Sequence, residues 1–117
     1  MTDDHRDGKK ATADLLRRLR SADAGAAWVE FLDLYAPLIM NTAGQFEYEQ
    51  DRISECFLYA CAQLNDNGFR RLLKFNTTGK ATFRTWLGSV VFNLCVDWHR
   101  REYGRASLLP AISALPA

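Results

Sequence analysis

Trp86, Asn93, Asp97 and Arg100 are the side chains whose types and spacing could do chemistry. At ~100° per residue they share one flank of a helix. A ring, an amide, a carboxylate and a guanidinium in a row can stack on a base, bond its edge and hold a phosphate. Single-stranded nucleic acid binding requires those three contacts. A plainer description fits the same residues: Trp86 in the core, Asp97 paired with Arg101 four residues on, and Asn93 on the surface. Other chemistries are poorly served. Cys95 and His99 have the four-residue spacing of two metal ligands on one helix, but Cys56 and Cys61 are five apart, and four ligands for a closed zinc site do not assemble. No Ser-His-Asp order, P-loop or dinucleotide fingerprint is present. Neither an enzyme nor a cofactor is expected.

The elements that must position these residues read as helices. The core stripe of the last one is Phe83, Leu87, Val90, Val91, Leu94 and Trp98, with Thr82 as its N-cap and Gly104 placed to stop it. Before it lies the polar loop Asn76–Ala81, and before that "FRRLLKF", a short helical turn. A helix is expected over about 51–64, with Ile53, Cys56, Phe57, Ala60, Cys61 and Leu64 inward and Asp51, Glu55 and Tyr59 stacked outward. "NDNG" ends it. The stretch 24–46 carries Trp28, Phe31, Leu32, Tyr35, Leu38, Ile39 and Phe46 at helical spacing, with Pro37 expected to kink it or to begin a second helix. The first helix is expected over 11–20, with Leu15, Leu16 and Leu19 inward and Asp23 capping its successor. No segment alternates with period two. The fold class is therefore all-α, a compact bundle of about four to five helices. Residues 1–10 read as a flexible segment, 11–105 as one domain and 106–117 as a linker or tail.

The chain has 117 residues, 48% of them apolar, enough for one core of modest stability. Three cysteines, an odd number inside helical patterns, argue for reduced thiols in a cytoplasmic protein. No apolar run approaches the ~20 residues of a membrane span, and the polar N-terminus is unlike a signal peptide. The net charge of +1 hides an asymmetry. Residues 1–66 carry 7 Lys+Arg against 12 Asp+Glu, and residues 67–117 carry 8 against 2. An acidic half and a basic half suggest two partner surfaces, the basic one suited to nucleic acid.

The order of these segments resembles the region 2 domain of extracytoplasmic-function sigma factors of bacterial RNA polymerase. "LLRRLRSADAGAAWVEFLDLYAPLI" is similar to the first part of that domain, and "DRISECFLYACAQL" to its polymerase-binding helix. "KFNTTGKATFRTWLGSVVFNLCVDWHRRE" is similar to its specificity loop and last helix. The matching positions there are Thr82, Phe83, Trp86, Leu87, Asn93, Asp97, Arg100 and Arg101. The resemblance covers roughly residues 11–105. It implies a transcription initiation factor domain that binds core RNA polymerase and melts the promoter −10 element by capturing a flipped base of the non-template strand. The DNA-binding residues would be Asn76, Thr77, Thr78, Lys80, Arg84, Trp86, Asn93, Asp97, Arg100 and Arg101. Lys80 and Arg84 would hold phosphates. Unstacking a base costs a few kcal/mol, which a fitted pocket offsets. Asp51, Ser54, Glu55 and Leu58 would dock on the clamp helices of the largest polymerase subunit. At this face Ser54 stands where Gln is usual and Arg52 where an apolar residue is common. The charges of Asp51 and Glu55 also favour the start of any helix. An anti-sigma factor is a further partner the resemblance admits. The family's second domain, which reads the −35 element, has no counterpart after Arg105, so the chain reads as a fragment or a stand-alone domain. The alternative is a sigma-like helical module that acts only through protein partners.

Overall fold

A computed structural model describes residues 4–104, with side chains from residue 8 onward. It contains four helices: α1 (Asp4–Leu19), α2 (Ala24–Ala43), α3 (Gln50–Phe69) and α4 (Phe83–Tyr103). A single 3-10 turn, Leu72–Lys74, lies between α3 and α4. The chain is an all-α bundle, as its periodicity requires. Helix α2 is central, since it packs against α1, α3 and α4, while α3 and α4 pack on each other. Phe31 and Ile39 of α2, Cys56 and Leu64 of α3, Leu72, and Leu87, Val91 and Cys95 of α4 are fully buried. No helix among the described residues is long and apolar enough to cross a membrane.

The helices follow the apolar stripes closely, and the differences have local causes. Helix α1 begins at Asp4 rather than near Ala11, so the segment expected to be flexible is helical from that residue. Lys9, Lys10 and Ala11 favour helix, and the packed turn at Leu15, Leu16 and Leu19 is a nucleus from which it extends backwards. Asp23 occupies the N-cap position of α2 but makes no side-chain cap. Its carboxylate instead accepts from Arg18 Nε at 2.8 Å, and Arg18 also pairs with Glu30 at 2.5 Å, tying α1 to α2. Pro37 neither breaks α2 nor starts a new helix. It lies on the exposed side, where the carbonyl deprived of its N–H partner can turn to water.

The last residues of α3 leave helical geometry at Asp66 and form the tightest turn. Asn67, Gly68 and Phe69 all have positive φ, at 52°, 62° and 65°. That conformation suits Asn and Gly and is costly for Phe. The Phe69 ring offsets the cost by burial against Trp28, with ring centroids 5.5 Å apart. After the turn the chain carries Arg71 and Lys74 towards α4. The tail expected over 106–117 lies outside the described residues.

Candidate functional site

The loop before α4 has an internal scaffold. Asn76 Oδ1 accepts hydrogen bonds from the Thr78 backbone N–H at 3.0 Å and the Thr78 hydroxyl at 2.7 Å. The Gly79 N–H donates to the Asn76 carbonyl at 3.2 Å. This is an Asx-type turn, which local side-chain chemistry forms without tertiary help. Thr82 then caps α4: its hydroxyl accepts from the Thr85 N–H at 3.1 Å and donates to the Thr85 hydroxyl at 2.9 Å. The expected cap and the expected stop at Gly104, with φ 86°, are both present.

A cavity of about 190 Å³ opens beside this loop. Thr77, Ala81, Thr82 and Arg84 form one side, and Gly8, Lys9 and Thr12 of α1 face them. The rings of Tyr35, Phe75 and Phe83 complete it. These rings brace one another edge to face, Phe75 on Phe83 at 5.1 Å and Tyr35 on Phe83 at 5.2 Å. The Lys9 ammonium reaches the Gly79 carbonyl at 3.4 Å. Burial raises the pKa of Tyr35, opposed by the neighbouring Thr12 hydroxyl and the charge of Arg84. The phenol is therefore neutral near neutral pH and keeps a proton to donate.

A separate groove of about 450 Å³ runs along α4. Trp86, Val90, Asn93, Leu94 and Asp97 line one side, and Arg71 and Lys74 line the other. Trp86 is half-buried, packed on Phe75 at 5.2 Å and Phe83 at 5.7 Å, so it is both a core residue and a groove wall. Asn93 is exposed. Asp97 is already engaged: the Tyr59 hydroxyl donates to it and Arg101 Nε lies 3.3 Å away. The Arg101 guanidinium also sits over the Tyr59 ring at 5.5 Å. Tyr59 therefore turns towards α4 and does not stack outward with Asp51 and Glu55. Burial first, and Asp97 second, push its pKa up to about 12. Asp97 and Arg101 thus brace α3 against α4, which limits their freedom to meet a ligand.

The expected site residues accordingly divide. Thr77 and Arg84 belong to the loop cavity, and Trp86, Asn93 and Asp97 to the groove. Asn76, Thr78, Lys80, Arg100 and Arg101 line neither of these two. Arg71 and Lys74 were not among the expected contacts, although the run of cations in "FRRLLKF" could have marked them. They also border a third depression, of about 280 Å³, with Arg70, Asn67, Asp66 and Gln63. There Arg71 Nη1 donates to the Gln63 carbonyl at 3.2 Å, which fixes its direction. Lys9, Thr12 and Tyr35 come from elements too distant in sequence to be found by any local signal.

Elsewhere, α3 presents Asp51, Glu55 and Leu58 to solvent, with Leu58 63% exposed. Ser54 is half-buried. Arg52 pairs with Glu55 of this face at 2.5 Å and reaches on to α4. It donates to Glu102 at 2.7 Å and the Tyr103 hydroxyl at 2.9 Å, and its guanidinium covers the rings of Trp98 and Tyr103 at 5.1 and 5.2 Å. A planar cation suits that stacked, partly apolar position, so an arginine packs where an apolar residue would otherwise stand. His99, four residues after Cys95, is buried. It is 7% exposed, lies among Phe46, Trp98 and Tyr103, and its Nδ1 has no hydrogen-bond partner among the described residues. Cys95 is directed to Cys56, which raises its pKa together with burial. Burial alone raises Cys61 to about 11. No group of three His, Cys, Asp or Glu residues that could hold a metal occurs among the described residues.

Compared with known proteins, the chain matches no family model, no curated protein and no solved structure.

Proposed function

We propose that this chain is a promoter-binding module like region 2 of extracytoplasmic-function sigma factors, which docks on core RNA polymerase and holds the −10 element open. The observation that carries the reading is the groove in which Arg71 and Lys74 face Trp86 and Asn93. Cations for phosphates lie across from an aromatic face and an exposed amide, which is the arrangement that captures a single strand. The loop cavity beside it, walled by rings and hydroxyls, suits an unstacked base. The exposed Asp51, Glu55 and Leu58 form the polymerase-facing surface, in the cytoplasm where polymerase works. Leu58 is the apolar centre of that surface and the carboxylates are its rim.

Phosphate contacts set affinity for every sequence, whereas base-edge contacts set discrimination. Fluorescence anisotropy at two salt concentrations, with a preferred and a scrambled single strand, separates them. Arg100→Ala weakens both strands alike. It also flattens the slope of log affinity against log salt by about 0.7 for each phosphate left without its cation. Asn93→Ala narrows the gap between strands by ~1–3 kcal/mol. Charge reversal at Asp51 and Glu55 weakens capture by the polymerase clamp helices. If the full chain binds neither strand at low salt, alone or with polymerase, the DNA reading fails and a module acting only on proteins replaces it.

A further inference from the structure

The depression beyond the α4 groove differs in chemistry from the groove and from the loop cavity. Every residue that lines it is polar or charged: Gln63, Asp66 and Asn67 before the turn is complete, and Arg70, Arg71 and Lys74 after it. None of these is a ring, whereas Tyr35, Phe75 and Phe83 wall the loop cavity and Trp86 walls the groove. The volume of about 280 Å³ is close to the lower end for small-ligand pockets, ~300–1,000 Å³. The charges around it are not spent on one another. Asp66 and Arg70 are four residues apart, the spacing at which a carboxylate and a guanidinium meet on a regular helix. Here the backbone leaves the helix at Asp66, with ψ 146°, and passes through positive φ at Asn67, Gly68 and Phe69. Asp66, Arg70 and Lys74 have no ion pair, with each other or elsewhere, among the described residues. Arg71 is held in place by the Gln63 carbonyl at 3.2 Å, a bond that uses only one of its N–H donors.

We propose that this depression binds a phosphorylated sugar or polyol, a small molecule with a phosphate at one end and hydroxyls at the other. Three cations against one carboxylate leave a surplus of two positive charges. A phosphate monoester carries about −1.5 to −2 at neutral pH, which matches that surplus. Guanidinium forks fit phosphate oxygens in pairs. Asp66 argues against a plain phosphate track, because an unpaired carboxylate repels an anion. It accepts hydrogen bonds from hydroxyls instead, and the amides of Gln63 and Asn67 both donate and accept. With no ring in the lining, a nucleobase has no face to stack on, so a hydroxyl-rich ligand fits better than a nucleotide. Arg71 and Lys74 also border the α4 groove, so a ligand held here competes for the two cations that face Trp86 and Asn93.

The test is isothermal titration calorimetry on the full chain. The probes are glycerol phosphate, ribose phosphate, glucose phosphate, inorganic phosphate, unphosphorylated glucose and a single strand of oligodeoxythymidine. At least one phosphate ester should bind roughly tenfold more tightly than inorganic phosphate, because hydroxyl bonds to a carboxylate add to the phosphate contacts. Glucose should give no heat of binding. Asp66→Ala should bring that ester down to the level of inorganic phosphate without weakening inorganic phosphate itself. Arg70→Gln should weaken the ester and inorganic phosphate alike, and should leave the strand unchanged because Arg70 does not line the groove. Asp66 and Arg70 are exposed, and a thermal melt of each variant checks that the fold is kept. A saturating ester should lower the affinity for the strand. If no ester binds more tightly than inorganic phosphate, or if Asp66→Ala leaves ester binding as it was, the proposal is overturned. It is also overturned if both substitutions change strand binding and no ester binds, since the depression then belongs to the strand. The ester titrations stand apart from the DNA reading: a chain that binds an ester and no strand sinks that reading and leaves this site in place.

Discussion

Thr82 is the hinge between the loop and α4, and its substitution measures how firmly the two are joined. Thr82→Ala removes the acceptor for the Thr85 N–H and the partner of the Thr85 hydroxyl in one step. Loss of a Ser or Thr N-cap typically costs ~0.5–2 kcal/mol. Thr82 and Thr85 are both exposed, so water takes up part of the freed bonding, and the expected cost is about 1 kcal/mol. For a domain of about this size that shifts the midpoint of thermal unfolding by roughly 4–8 °C. Thr82→Ser keeps the oxygen and should stay within a few tenths of a kcal/mol of the unmodified chain. Urea denaturation followed by far-UV circular dichroism gives the free energy, and the slope on urea should be unchanged because the buried surface is the same. The first turn of α4 carries Phe83 and Arg84, both walls of the loop cavity, so hydrogen exchange at the 83–86 amides should also quicken in Thr82→Ala. If Thr82→Ala is as stable as the unmodified chain, or Thr82→Ser is as damaging as Thr82→Ala, the cap does not hold this junction.

Two glycines should respond in opposite directions. Gly88 lies inside α4 with open space where a Cβ would stand, so Gly88→Ala should stabilise by ~0.4–1 kcal/mol in urea unfolding. Gly68 sits at φ 62°, so Gly68→Ala should destabilise by ~1 kcal/mol or more. Stability should also fall at alkaline pH through Tyr59, whose pKa is raised to about 12 from an ordinary value of 10.0. The folded state holds that proton more tightly than the unfolded one, so this contribution is complete below pH 10 and is lost as pH rises towards 12. Tyr59→Phe should remove this part of the alkaline decline in a series of thermal melts, and an unchanged slope would show that the phenol does not titrate with unfolding.

The arginines near the α3–α4 junction differ in what they already hold. Arg52 and Arg101 each cover an aromatic ring and pair with a carboxylate on the facing helix or on their own. Arg100, one residue before Arg101, is exposed and has no ion pair among the described residues. One step of ~100° along the helix is enough to move a guanidinium from a brace to a surface. That is why Arg100 rather than Arg101 is the better probe of phosphate binding.

The four helices, their apolar faces, the Thr82 cap and the Gly104 stop were legible in the sequence because each depends on neighbours within a turn or two of chain. Periodicity tells which face of a helix is buried, and side chains three residues apart make the cap. What lies across from each face is set by helix packing, which no local pattern records. Tyr59 and Asp97 are 38 residues apart and Arg52 and Glu102 are 50 apart, so Tyr59 read as an outward residue and Arg52 as an anomaly. The burial of His99 is tertiary for the same reason, since Phe46 packs beside it from another element. The sequence could also order Trp86, Asn93 and Asp97 along one flank. Only the fold decided that Arg71 and Lys74 face them, because the chain after the positive-φ turn at Asn67–Phe69 brings the cations to that side. The separation of the loop cavity from the groove is a tertiary result as well, since the packing of Phe75 against Trp86 makes the wall between them.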